Sequence, residues 1–153
     1  MPLDYTEYDT RLAAYAVCVQ ERDGAPHVLL ALWNETAEPR WSLPGGGVEL
    51  DETPEQGAVR EVQEEAGYDV VLDGLLGVHT RVIPPRDRLS GSPRPLRAVM
   101  VIYAATIVGG ELRPEVGGTT DECRWWPLAD VAQLPRVSTV DAALRFWRAG
   151  DRG

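Results

Sequence analysis

The chain of 153 residues contains no lysine; all 15 of its basic residues are arginine. That excludes chemistry needing a side-chain amine, such as a Schiff-base lysine or the lysine of a Walker-type phosphate loop. Histidine is scarce: His27 and His79 each stand alone in a strand pattern, where satisfied structural histidines are expected rather than ligands. Two cysteines, Cys18 and Cys123, lie in apolar or strand-like surroundings. They read as buried free thiols rather than a disulfide framework, which fits a cytoplasmic location. No run of about 18 apolar residues occurs, so no membrane-spanning helix is expected. Met1 to Asp9 holds three acids and no basic residue, unlike a secretory signal. The net charge of −9 argues against general binding to nucleic acid or an anionic membrane. The length suits one compact domain over residues 1–153, and no internal repeat is found.

The informative stretch runs from Gly46 to Tyr68. A helix is expected from Pro54 to Ala66. Thr53 can cap it, Pro54 takes the first helical position, and Gln56 completes a capping box. Glu55 suits the positive end of the dipole, and Gly67 can adopt the left-handed conformation that ends the helix. At about 100° per residue, Glu61, Glu64 and Glu65 share one face, with Val59, Val62 and Ala66 on the buried one. Gly57 weakens the helix, and close packing against a strand would explain it. Glu61 and Glu65, four apart, repel each other on a bare helix. One arginine, Arg60, is too little to balance them. Their hard oxygens suit Mg²⁺, Mn²⁺ or Ca²⁺. The preceding Pro44-Gly45-Gly46-Gly47 can bring backbone close to a phosphate or offer a carbonyl to a metal. A solvated acidic helix face is the plain alternative, and it leaves the glycine turn and both caps unexplained.

These residues resemble the signature of the Nudix hydrolases, the MutT-like pyrophosphohydrolases. Gly46, Glu52, Arg60-Glu61-Val62, Glu64-Glu65, Gly67 and Tyr68 fill the pattern over 23 of the 153 residues. Tyr68 departs from the usual aliphatic residue. The resemblance implies that Glu64 and Glu65 are principal metal ligands, that Glu61 is a ligand or the base that activates water, that Arg60 orients a neighbouring glutamate, and that Glu52 braces the loop. It implies a Gly45 carbonyl ligand and Mg²⁺, with Mn²⁺ as the alternative. It also implies a further acid from a late loop. Glu115, Asp121 and Glu122 are the candidates, and Glu122, at the start of a predicted strand, is carried forward as catalytic. The reaction implied is hydrolysis of a nucleoside diphosphate linked to another group, a small-molecule substrate. Pro84, 16 residues beyond Tyr68, resembles the ADP-sugar branch; nucleoside triphosphates are another class. A non-catalytic nucleotide sensor or regulator on the same fold is the alternative reading.

Strands are expected at Tyr15–Gln20, His27–Trp33, Arg40–Leu43, Leu75–Ile83, Leu96–Val108 and Glu122–Pro127. Turns are expected at Asp23-Gly24 and Gly109-Gly110, a short helix near Ala129–Gln133, and a closing helix at Val140–Arg148 capped by Ser138 or Thr139. This pattern suggests an α+β fold: an α/β/α sandwich around a mixed sheet, flanked by the acidic helix and the C-terminal one. The family resemblance implies the same architecture. Between the last two long strands lies an arginine-rich loop. From Arg81 to Arg97 the local charge is +4, against −6 from Glu49 to Glu65. Arg86, Arg88 and Arg94, with Arg81 at the loop's start, can grip a phosphate across a cleft from the acids; a solvated, charge-balancing loop is the alternative. Trp33, Trp41, Trp125 and Trp126 can stack on a base, but Trp125 and Trp126 point to opposite faces of a strand, and Trp41 reads as packing. Tyr5 to Tyr15 reads as an exchanged or edge element, which leaves a homodimer open.

Overall fold

The computed structural model describes residues 2–150; Met1 and residues 151–153 of the expected domain lie outside. Eight strands and two α-helices follow one another: β1 (Asp9–Val17), β2 (Val19–Arg22), β3 (Ala25–Trp33), β4 (Arg40–Ser42), β5 (Gly45–Gly47), α1 (Pro54–Ala66), β6 (Tyr68–Ile83), β7 (Leu96–Gly110), β8 (Thr120–Pro127) and α2 (Ser138–Gly150). Short 3-10 turns at Pro85–Asp87 and Leu128–Gln133 complete the path. No helix among these residues is long and apolar enough to cross a membrane.

The strands form two four-stranded sheets. One has the order β5-β1-β7-β6, mixed because β1 runs parallel to β7 while the other pairings are antiparallel. In the other, β3 takes β2 and β4 along one edge and β8 along the opposite edge. Alternation along the strands sorts the core into two layers. Ala16, Leu29, Ala31, Val70 and Cys123 pack beneath Val62 and Ala66 of α1. Val17, Val28, Leu30, Trp41 and Ile102 pack beneath Val140, Ala143 and Leu144 of α2. The result is the expected α/β/α sandwich.

Several boundaries differ from expectation. The N-terminal residues from Asp9 to Tyr15 are not an edge element: β1 lies inside its sheet, between β5 and β7. Strand β6 begins at Tyr68 rather than Leu75. Three register shifts, between Asp69 and Val70, Leu72 and Gly74, and Leu75 and Gly77, break its two-residue alternation, so only its part from Leu75 onward reads as a strand in the sequence. Gly109 and Gly110 are paired to Asp69 and Tyr68 and belong to β7, not to a turn. His79 is not satisfied: its Nε2 is buried without a hydrogen-bond partner among the described residues, and burial lowers its pKa.

Candidate active site

Helix α1 has the expected ends. Thr53 Oγ1 accepts the Gln56 N–H at 3.1 Å, and Gln56 Oε1 accepts the Thr53 N–H at 2.9 Å. Gly67 sits at φ 80° and returns its N–H to the Gln63 carbonyl. Gly57 is explained by the loop before the helix, not by a strand. A Cβ there would come within 3.0 Å of Glu52 Oε1 and 3.4 Å of Val48.

That space lets Arg60 gather the loop and the acids. Its guanidinium donates to both Glu52 oxygens, at 2.6 and 3.0 Å, a bidentate pair. It also donates to Glu61 at 3.2 Å, Glu64 at 3.2 Å and the Gly47 carbonyl at 3.2 Å. Glu52 in turn accepts the Glu49 N–H at 2.9 Å. The Arg60 pairing brings the Glu52 carboxyl down to about 2.

The three glutamates of the acidic face are not equivalent. Glu64 is exposed. Glu61 is half-buried, and Glu65 is only 4% exposed, which the alternative of a solvated acidic face does not accommodate. Glu65 accepts the Gly45 N–H at 3.1 Å and lies in hydrogen-bonding range of Glu61. Burial first, then the Glu61 charge, pushes Glu65 up to about 9. Burial raises Glu61 as well, against the pull of Arg60. Arg60, the cation that pairs with Glu61, is shared with Glu52, Glu64 and the Gly47 carbonyl, and Glu65 makes no ion pair among the described residues.

Strand β5 supplies the floor of the site. It pairs with β1 through Ala13–Gly47, Ala14–Gly46 and Tyr15–Gly45. A Cβ on Gly45 would lie 2.7 Å from the Tyr15 Cα and closer still to the Ala14 carbonyl. At Gly46 it would meet Glu61 Oε1 at 2.7 Å. Here bare backbone is a spatial requirement. A cleft of about 1400 Å³ opens over this floor, with Glu61 and Glu65 in its wall and Trp33 and several arginines around it.

Which arginines these are corrects the sequence reading. Arg81 lines the cleft and donates to Ser138 Oγ at 3.2 Å. Arg86 is exposed and lies outside it. Arg88 and Arg94 hold Asp9, at 2.7 and 2.9 Å, and donate to the carbonyls of Arg94 and Tyr8, respectively. Both anchor the start of β1; Arg88 nonetheless lines the cleft, as expected, whereas Arg94 does not. The arginines that reach the cleft unforeseen are Arg11, Arg40 and Arg136, and Arg136 is tied to Asp141 at 2.8 Å. No local sequence signal marked them, since strand pairing brings them together.

Glu122 is also displaced from expectation. It shares the α2-side face of β8 with Trp126 and lies 3.5 Å from Arg124, whereas Cys123 faces α1 and Glu65. Asp121 is held by Asn34 at 2.6 Å. Glu115, which accepts from Thr120 at 3.1 Å, is the late acid whose charge reaches Glu65. Trp41 packs edge-on against Trp126 at 5.2 Å, and Trp125 donates to the Tyr68 hydroxyl at 3.1 Å, so Trp33 is the tryptophan that lines the cleft. Both cysteines are buried and free, their thiols pushed up to about 12 by burial.

The family described as NUDIX domain matches residues 9–147, and the chain belongs to that family. An ADP-ribose pyrophosphatase of Methanocaldococcus jannaschii is 34% identical over 94 residues, which cover 61% of this chain and 50% of that protein. The chain spans half or less of the length of the curated relatives it matches. Among solved structures, a NUDIX hydrolase from Nitrosomonas europaea superposes with a TM-score of 0.76 at 16% identity, covering 93% of this chain and 90% of that one. The NUDIX domain of Shewanella oneidensis NrtR, complexed with ADP ribose, superposes with a TM-score of 0.72 at 24% identity, covering 96% and 92%. These two likenesses establish the fold.

Proposed function

We propose that the protein hydrolyses the pyrophosphate bond of a nucleoside diphosphate linked to a second group, with a divalent metal at the Glu61–Glu65 recess. The observation that carries this reading is the buried Glu65 carboxyl, without an ion-pair partner among the described residues, beside the half-buried Glu61 over a glycine floor in a large cleft. The donor set fits Mg²⁺ or Mn²⁺: carboxylate oxygens of Glu61, Glu64 and Glu65, with the Gly45 carbonyl as a further oxygen. Among the described residues no three acid, histidine or cysteine side chains already converge on one point. Glu64, here turned to Arg60, would join Glu61 and Glu65 in holding the ion.

A divalent ion in this recess neutralises phosphate oxygens and makes water a stronger nucleophile. The chain's own residues do the rest. Arg60 fixes Glu52 and thereby the loop that carries Gly47, and it restrains Glu61 and Glu64. Glu61, over the bare Gly46 in the cleft wall, is placed either to serve as a ligand or to take a proton at a carboxylate oxygen from the attacking water. Of the late-loop candidates, Glu115, whose charge reaches Glu65, is preferred here to Glu122. The bare Gly46 leaves room for the Glu61 carboxylate in the cleft wall.

ADP-ribose and ADP-sugars are the first substrates to test, supported by the likeness to the ADP-ribose pyrophosphatase of Methanocaldococcus jannaschii, with nucleoside triphosphates second. Nucleotide release from such a panel is measured with Mg²⁺, with Mn²⁺ and with EDTA. Metal-dependent release from at least one compound is expected. Equal turnover in EDTA refutes the metal mechanism, and no release from any compound refutes the hydrolysis.

A further inference from the structure

The geometry points to Arg11 as a phosphate-binding residue that closes the diphosphate site on the side opposite the carboxylates. This rests on the proposed pyrophosphate hydrolysis. Arg11 lies on β1, two residues before Ala13, the partner of Gly47. Its guanidinium covers the last glycine of the floor: a Cβ on Gly47 would sit 3.1 Å from Arg11 Nη2. Gly47 needs no left-handed backbone, so room for this guanidinium is what its missing side chain supplies. Arg11 and Glu61 thus rest on neighbouring glycines of one bare strand, Glu61 over Gly46 and Arg11 over Gly47, and both line the cleft.

Tyr15, two strand repeats further along the same face, pairs with Gly45 at the other end of the glycine floor. Among the described residues Arg11 makes no ion pair within 4.0 Å. The nearest acid along its own strand face is Asp9, and Arg88 and Arg94 have claimed it, at 2.7 and 2.9 Å. The loop arginines therefore contribute indirectly: by neutralising Asp9 they leave Arg11 uncaptured. An unpaired guanidinium beside a glycine floor offers forked donors to the non-bridging oxygens of a diphosphate.

The test compares the unaltered protein with Arg11→Gln and Arg11→Lys in two measurements. The first is calorimetric binding of ADP in the presence of Mg²⁺. The second is kcat and KM on the best substrate of the panel. Arg11→Gln is expected to weaken ADP binding about tenfold or more and to lower kcat/KM by a similar or larger factor, the loss of one charge-assisted hydrogen-bonding group. Arg11→Lys should restore part of both, because it returns the charge without the fork. Thermal melting of both variants should stay close to the unaltered protein, since Arg11 is exposed. Unchanged ADP affinity and kcat/KM in Arg11→Gln overturn the assignment, as does equal loss in Gln and Lys variants with a lowered melting temperature. If the unaltered protein binds ADP but turns over nothing, hydrolysis fails while the binding comparison still decides Arg11. If it does not bind ADP, the assignment fails too.

Discussion

Glu65 offers the sharpest test of the site, because its burial makes a prediction without any substrate. In the metal-free protein its pKa is pushed from an ordinary 4.5 to about 9. Between those values the unfolded chain has released the proton and the folded chain still holds it. The folded state then binds more protons, so stability falls as pH rises, by up to about 1.4 kcal/mol per pH unit. From pH 4.5 to pH 7 this amounts to about 3 kcal/mol, or a melting shift of about 10 °C for a chain of this size. Glu65→Gln keeps the shape and the oxygen that accepts the Gly45 N–H, and it removes the ionisation. In EDTA the variant should melt with the unaltered protein near pH 4 and well above it at pH 7. Millimolar Mg²⁺ should reverse the order by stabilising the unaltered protein more. Melting curves by circular dichroism across pH 4 to 8, with EDTA and with Mg²⁺, provide the readout. Parallel pH profiles for the two proteins in EDTA would refute the claim that Glu65 is a strained, uncompensated carboxyl.

Three further outcomes follow from the same geometry. Gly46→Ala places a Cβ 2.7 Å from Glu61 Oε1 and should lower kcat about tenfold or more with the fold retained, whereas Gly74→Ala, with nothing within 4 Å, should be near neutral in the same assay. Asp9→Asn removes the anchor of Arg88 and Arg94. Because those arginines hold the Asp9 pKa below its ordinary 3.8, its stabilisation is present above that value and lost as pH falls through the lowered one. The variant should therefore melt lower at pH 7, and the gap should close as acidification passes the lowered Asp9 pKa. Glu115→Gln should reduce kcat while Glu122→Gln leaves it near the unaltered value; the reverse pattern in steady-state kinetics would restore Glu122 to the site.

Much of α1 was legible because its determinants are local. Thr53, Gln56 and Gly67 act within a few residues of where they stand in the chain. The angular grouping of Glu61, Glu64 and Glu65 was legible for the same reason. Their unequal burial was not, since it depends on where β5 lies against the helix, and β5 is three glycines with no pattern of its own. Strand β6 shows the converse. Asp69, Asp73, Gly74 and Gly77 look like interruptions, yet pairing with β7 carries the strand through them with bulges. The charge contrast between the acidic helix and the arginine loop could be counted in the sequence, but the partners could not. Asp9 captures Arg88 and Arg94 because parallel pairing sets it beside Leu96, a contact between distant parts of the chain.

That parallel pairing also has a consequence for how the protein comes into being. The floor strand β5 rests on β1, and β1 has β7 as its other neighbour, from Leu96 to Ala104. On the ribosome, the acidic helix and the glycine strand emerge long before β7 is made. Until then β1 has one three-residue partner, and parallel strand pairing across so long a separation is slow to form. Maturation of the carboxylate recess thus waits on a segment that contributes none of its acids. A nascent chain halted before Leu96 would expose Glu65 to water and lose the strain that sets it apart in the finished protein.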